Sequence, residues 1–295
     1  DLDEVHAPGP GLCWVLKPDL QDYHVRGRCW ARDVDFRLSS NSEGMRGNPL
    51  HPAGTRKRIL AIGDSTTFGL GVNDPETWPA QLEKILNEHA RGEVFEVLNA
   101  GYAGTSAFQG LTYLDKKGMS FEPACVLVCF GHNDFDTWFD KTDIERAKEL
   151  QASSAGQTEN SPSDFFVLAR LAAKQAEYAV ERFTGSKRPR LTPDEFRDTL
   201  VEIDKLCKAR GIPVAYVVWP YESQVTGHDG NPIQYQPLIH EAAKLSGAPL
   251  INLYDAFVTK SEPLYADPVH GNAAGCRAAA EAIAPVVEEM LREEE

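Results

Sequence analysis

Arg58-Ile59-Leu60-Ala61-Ile62-Gly63-Asp64-Ser65-Thr66-Thr67-Phe68-Gly69 is an apolar run that breaks into a Gly-Asp-Ser turn. A short aliphatic stretch closed by turn residues predicts a buried strand, here residues 59–62. The turn then puts the Ser65 hydroxyl at the carboxyl edge of a sheet, near the N-terminus of the next helix. Main-chain N–H groups exposed there favour anionic oxygen, and Gly63 lets the backbone turn. Taken alone, the tripeptide has a simpler explanation, in which Asp64 and Ser65 only cap that helix.

Outward from this stretch the same rhythm repeats. Apolar runs at 95–98, 126–130, 214–219 and 250–253 predict further strands. Amphipathic segments at about 77–90, 106–118, 193–210, 234–246 and 272–292 predict the helices between them. The last of these carries Ala278, Ile283, Val286, Val287 and Met290 on one stripe, and Gly211 and Pro213 separate a helix from the strand that follows. Strands alternating with helices are the sequence form of a parallel sheet with crossover connections. The expected fold class is therefore α/β, a three-layer α/β/α sandwich around a five-stranded parallel sheet.

Two regions break the rhythm. Residues 1–55 are rich in Pro, Gly and polar residues, with short alternating runs at 23–29 and 34–38. They predict an extended N-terminal extension with little core of its own, packed on a main domain at 56–295. Residues 135–192 hold an Asp-rich turn, a polar loop at 152–163 and a helix at about 165–183. An insert at a strand's carboxyl end lies where ligands bind in open α/β sheets, which makes it a candidate cap.

Composition bounds the function. Thirty Lys plus Arg against 44 Asp plus Glu give a formal charge of -14, a field that repels phosphate backbones, so nucleic acid is not an expected partner. No stretch approaches the roughly 18 consecutive apolar residues that a membrane span needs. No C-x-x-C or Cys/His ligand spacing occurs, so neither a zinc site nor any other metal is expected.

Three further strand-to-helix junctions carry chemistry. In Asn99-Ala100-Gly101-Tyr102-Ala103-Gly104, the absence of a Cβ at Gly104 lets a substrate carbonyl reach its N–H; an ordinary turn explains the glycines equally well. In Gly131-His132-Asn133-Asp134, Asn133 offers two amide donors where negative charge would develop, or a turn amide bonded to its own backbone. In Asp267-Pro268-Val269-His270, an acid three residues ahead of a histidine can hold the imidazole Nδ1–H and leave Nε2 free to take a hydroxyl proton.

Each signal is weak singly, but all four fall on the same sheet edge in one order. Together the segments resemble the SGNH (GDSL) hydrolases, whose blocks centre on Gly-Asp-Ser, a glycine after a strand, Gly-x-Asn-Asp and Asp-x-x-His. Here these match Ser65, Gly104, Asn133 and His270, and Asn41-Ser42-Glu43-Gly44-Met45-Arg46-Gly47 matches an approach segment of many bacterial members. One departure is Gly271, where the family usually has Pro. The resemblance implies a flavodoxin-like SGNH fold and a serine esterase with catalytic Ser65, Asp267 and His270. The oxyanion would be held by Ser65, Gly104 and Asn133, with no cofactor. It implies a small-molecule or glycan ester substrate, with short acyl or O-acetyl groups expected.

Rival readings are an acyltransferase that delivers to a glycan hydroxyl, a non-catalytic module on this scaffold, and a metal phosphoesterase. The last lacks paired Asp-x-His and Gly-x-His elements. His132 is expected to support the site without touching substrate. For Arg46, Tyr102, Trp138, Tyr221 and Tyr235, plain packing is a simpler role than lining a pocket. The Lys187-Arg188-Pro189-Arg190 cluster reads as a solvated loop.

The chain starts at Asp1 without an initiator Met, and Cys13 and Cys29 lie 16 positions apart in the extension. With the resemblance, these features imply an extracytoplasmic protein in which an oxidising compartment permits a Cys13–Cys29 bridge, the alternative being a cytoplasmic enzyme with free thiols.

Overall fold

The computed structural model describes residues 2–11, 13–29, 32–154 and 187–292. Five strands form its central sheet: β1 (Lys57–Gly63), β2 (Phe95–Gly101), β3 (Cys125–Cys129), β4 (Val214–Val218) and β5 (Leu250–Asn252), in the order β5-β4-β3-β1-β2. All four pairings are parallel. The apolar runs thus mark the strands, and the fold is the α/β sandwich expected from their alternation.

Both faces of the sheet are covered, which is why the strands are continuously apolar instead of alternating. Successive side chains still point to opposite faces. Leu60, Ile62, Val126 and Val128 pack with α3 (Ala107–Lys116), α5 (Pro193–Lys208) and α6 (Gln236–Ser246). Ile59, Ala61, Cys125 and Leu127 pack with α2 (Trp78–His89) and α7 (Ala273–Arg292). Leu60 is fully buried, and its truncation to Ala would cost about 2–5 kcal/mol. Local signals place the helix starts. Ser106 with Gln109 and Thr192 with Glu195 form capping boxes at α3 and α5.

The register aligns the edge where the site forms. Gly63 at the end of β1 lies opposite Gly101 of β2 and Cys129 of β3, so three strands stop level and release their turns side by side.

The N-terminal residues form two antiparallel pairs, His6–Pro8 with Trp14–Leu16 and Tyr23–Cys29 with Arg32–Leu38. They do not close a core by themselves. Val5, Leu16, Val25, Phe36 and Leu38 are buried in one cluster with Phe68, Leu70 and Ala103 of the main body. The alternating runs supplied one apolar face, and its partner surface lies far away in sequence. The Cys13–Cys29 bridge is also absent. Cys13 is a free, buried thiol whose Sγ donates to the Gln109 carbonyl at 2.9 Å, and burial pushes it up to about 12. An extracytoplasmic location therefore draws no support from a bridge at Cys13.

In the 135–192 region, a short strand at Thr137–Phe139 pairs with Arg188–Pro189, and α4 spans Asp143–Ser154. The polar loop and helix expected between them fall largely outside the described residues. The basic cluster is not a wholly solvated loop. Arg190 is 2% exposed and ion-paired at 2.7 Å with Asp143, which is equally buried.

Candidate active site

Helix α1 is one turn long, Ser65–Phe68, and starts where β1 ends. Asp64 caps it, its Oδ1 accepting from Thr66 N at 2.9 Å and Thr66 Oγ1 at 2.8 Å. Asp64 thus does what the capping reading assigned to it, while Ser65 does something more. A Cβ at Gly63 would run into Thr67 Oγ1 and lie 2.6 Å from the Cys129 carbonyl, so the strand can turn into the helix only through glycine. The far end of α1 is held by Arg46, whose guanidinium donates to the Phe68 and Gly69 carbonyls at 2.9 and 2.7 Å and pairs with Asp74 at 2.8 Å. Arg46 is buried against the Phe68 ring.

Ser65 Oγ lies 2.7 Å from His270 Nε2, and His270 Nδ1 lies 2.8 Å from Asp267 Oδ2. The other oxygen, Asp267 Oδ1, accepts the backbone N–H groups of Val269 and His270 at 2.9 and 2.8 Å. This local turn aims Oδ2 at the ring. Burial would raise the Asp267 carboxyl, but the imidazole's hydrogen bond and charge, with the two backbone donors, outweigh it and hold the group well below the usual carboxylate range. The loop is braced from β4's end: Trp219 Nε1 donates to the Val269 carbonyl at 2.8 Å and Tyr265 Oη to the Pro220 carbonyl at 2.7 Å. A Cβ at Gly271 would come within 2.9 Å of the Trp219 ring, which explains why this loop departs from Pro. In the sequence, Trp219 and Tyr265 read as ordinary aromatics beside a strand and a turn.

Gly104 has φ 77, a left-handed conformation that disfavours any residue with a Cβ. Asn133 is buried, and its Nδ2 donates to the Thr105 carbonyl at 3.1 Å, joining the third junction to the second. One amide hydrogen of Asn133 is thereby used and a second exists. Next to it, Asp134 is wholly buried. Its Oδ1 accepts from Ala107 N at 2.7 Å, while Oδ2 is without a hydrogen-bond partner. Burial pushes Asp134 up to about 7.

A cleft opens between the carboxyl ends of β3 and β4, lined by Asp64 and Thr66 on either side of Ser65, by Val269, and by Phe130, Tyr221 and Ile239. His132 and Tyr235 also line it, and His132 Nδ1 lies 3.1 Å from Tyr221 Oη. Tyr102 is instead buried against Tyr113, 5.4 Å between ring centroids. The side chain of Trp138 lies outside the described residues. Among the described residues no cluster of three or more His, Cys, Asp or Glu is arranged to hold a metal ion.

A profile of the GDSL-like lipase/acylhydrolase family matches residues 61–278. The chain is 33% identical over 76 residues to Esterase TesA of Pseudomonas aeruginosa, a match covering 26% of this chain and 37% of that protein. The match thus spans little more than a third of the curated relative's length. Among solved structures, a TesA crystal structure superposes with TM-score 0.51 at 17% identity over 79% of this chain and 99% of the other. The acetyl xylan esterase AlAXEase superposes with TM-score 0.52 at 17% identity over 78% and 99%. At such identities the two structures speak to the fold.

Proposed function

Because the chain belongs to the GDSL-like lipase/acylhydrolase family, we propose that it hydrolyses carboxylic esters through an acyl-enzyme on Ser65. The observation that carries the reading is the unbroken row Ser65 Oγ, His270 and Asp267, with contacts of 2.7 and 2.8 Å. In the first half-reaction Ser65 Oγ attacks the ester carbonyl while His270 Nε2 takes its proton. Asp267 stabilises the imidazolium that results. The tetrahedral oxyanion is met by the Ser65 N–H, which as the first residue of a helix has no intrahelical partner, and by the Gly104 N–H and the Asn133 amide. Collapse expels the alcohol, protonated by His270, and water repeats the cycle to release the acid.

The cleft that reaches Asp64, Thr66 and Val269, chain neighbours of Ser65 and His270, is walled by Phe130, Trp219, Tyr221 and Ile239, bulky side chains that favour a short acyl group over a long chain. Acetyl groups on a glycan fit this reading, and an acetyl xylan esterase shares the fold.

Ser65→Ala should abolish both labelling by an organophosphonate and turnover of acetyl esters, a loss of about 10⁶ by analogy with other serine nucleophiles. Labelling that persists in the variant would remove Ser65 as nucleophile. A panel of acyl esters of increasing length, run beside an acetylated xylo-oligosaccharide, tests the short-acyl assignment. Higher kcat/KM for long chains would overturn it.

A further inference from the structure

Gly104 sits between two peptide groups, and each has its carbonyl gripped by a side chain remote in sequence. The peptide joining Ala103 and Gly104 is planar, with its C=O and N–H pointing in opposite directions, so whatever fixes the Ala103 carbonyl also fixes the aim of the Gly104 N–H. Trp14 Nε1 donates to that carbonyl at 2.9 Å. The next peptide offers the Gly104 carbonyl, which accepts a short hydrogen bond from Arg190 Nη1.

Both donors are themselves rigidly mounted. Trp14 belongs to the strand Trp14–Leu16, which pairs with His6–Pro8. Its neighbour Cys13 bonds to α3, and Leu16 N donates to the Gly44 carbonyl at 3.1 Å. The Arg190 guanidinium donates through Nη2 to Asp143 Oδ2 at 2.7 Å and to Gln109 Oε1 at 2.5 Å. The same Asp143 oxygen accepts from Ser106 Oγ at 2.7 Å, two residues beyond Gly104. The buried cation is thus neutralised by a carboxylate that also holds the turn.

We infer that Trp14 and Arg190 are positioning residues that clamp Gly104 from both sides, so that its N–H is preorganised as an oxyanion donor. The inference rests on the reading of Gly104 given above. Preorganisation is what makes such a donor effective, since no reorientation is needed as charge develops. A hydrogen bond accepted at the carbonyl end of an amide also polarises it and strengthens donation from its N–H. Trp14 lies outside the span 61–278 that matches the family, so the N-terminal segment takes part in catalysis and does more than cover the domain.

Trp14→Phe keeps an aromatic ring and removes the indole N–H. Active sites are counted by end-point titration with a phosphonate. Per active site, kcat for an acetyl ester should fall about three- to tenfold, the worth of one hydrogen bond, with KM unchanged. Affinity for a boronic acid that forms a tetrahedral adduct on Ser65 should fall by the same factor. Arg190→Lys, which keeps a cation beside Asp143, should lower the same two quantities. If Trp14→Phe lowers only the melting temperature or the titratable fraction, with kcat and boronate affinity per site unchanged, Trp14 is structural and the inference fails. That result leaves the serine mechanism intact, whereas phosphonate labelling of Ser65→Ala would fell the underlying reading itself.

Discussion

The two sides of the site are built by opposite means. On the proton-transfer side, the acid, the base and the turn that aligns them fall within Asp267–His270, and Asp267 Oδ1 is tied to backbone N–H groups two and three residues ahead. On the oxyanion side, the turn at Gly104 depends on Trp14, 89 positions from the Ala103 carbonyl it holds, and on Arg190, 86 positions from the Gly104 carbonyl. The carboxylate and imidazole are aligned within one short loop that Trp219 braces, whereas the Gly104 N–H is aimed by bonds to the carbonyls of the two successive peptides around it. The first side is therefore a sequence motif and the second a tertiary construction.

The sharpest way to break this comparison is Asp267→Asn. The amide keeps the turn's shape yet loses the charge that stabilises the imidazolium and selects the ring tautomer, and the corresponding change in the serine-protease triad costs about 10⁴ in kcat. Because the His270 ring and two backbone donors hold the Asp267 carboxyl far below its usual range, it stays ionised well into acid. Steady-state rates of wild type and variant check this: a variant kcat within about tenfold of the wild type would show that the proton-transfer side is not built on the Asp267–His270 pair.

Asn133→Ala probes the other side. It removes one donor from a set of three and also the bond to the Thr105 carbonyl, so kcat should fall about 10²- to 10³-fold with little change in KM. A near-normal kcat would reduce the third junction to a turn and leave the oxyanion to backbone groups alone.

This division also explains what was legible in the sequence. Strand positions were readable because burial on both faces demands unbroken apolar runs, as at Ile59–Ala61 and Val126–Val128, and the level ends of those strands follow from parallel register. Ser65, Gly104, Asn133, Asp267 and His270 were each visible as a residue type at a junction. Their supports were not. Arg190 reads as one more charge in a basic run because nothing local announces that Asp143 will neutralise it in the interior. Trp14 lies in a short apolar run within a segment rich in Pro, Gly and polar residues, a composition that reads as an extension with little core of its own. The apolar face formed by Leu16, Val25, Phe36 and Leu38 becomes a core only against Phe68 and Leu70, a surface that exists once the sheet has formed.

The smallest expected effect concerns Asp134, which stands between the two sides. Burial lifts its carboxyl to about 7, with Asp64 and Asp143 adding repulsion while the Ala107 N–H and the Arg190 charge pull the other way. A carboxyl whose folded value lies above its unfolded one binds more protons when folded, so its contribution to stability is complete below the unfolded value, near 4. That contribution is lost as pH rises from there through about 7. Asp134→Asn keeps an acceptor for the Ala107 N–H and supplies a neutral group in place of the proton-dependent one. The difference in melting temperature, wild type minus variant, should therefore become more negative between pH 5 and pH 8, by a few degrees at roughly 2–4 °C per kcal/mol in a chain of this size. Subtracting the variant removes from the comparison the titrating groups that do not interact with Asp134. A difference that stays constant across that range would mean Asp134 is ionised throughout, with its charge balanced by Arg190 on the oxyanion side.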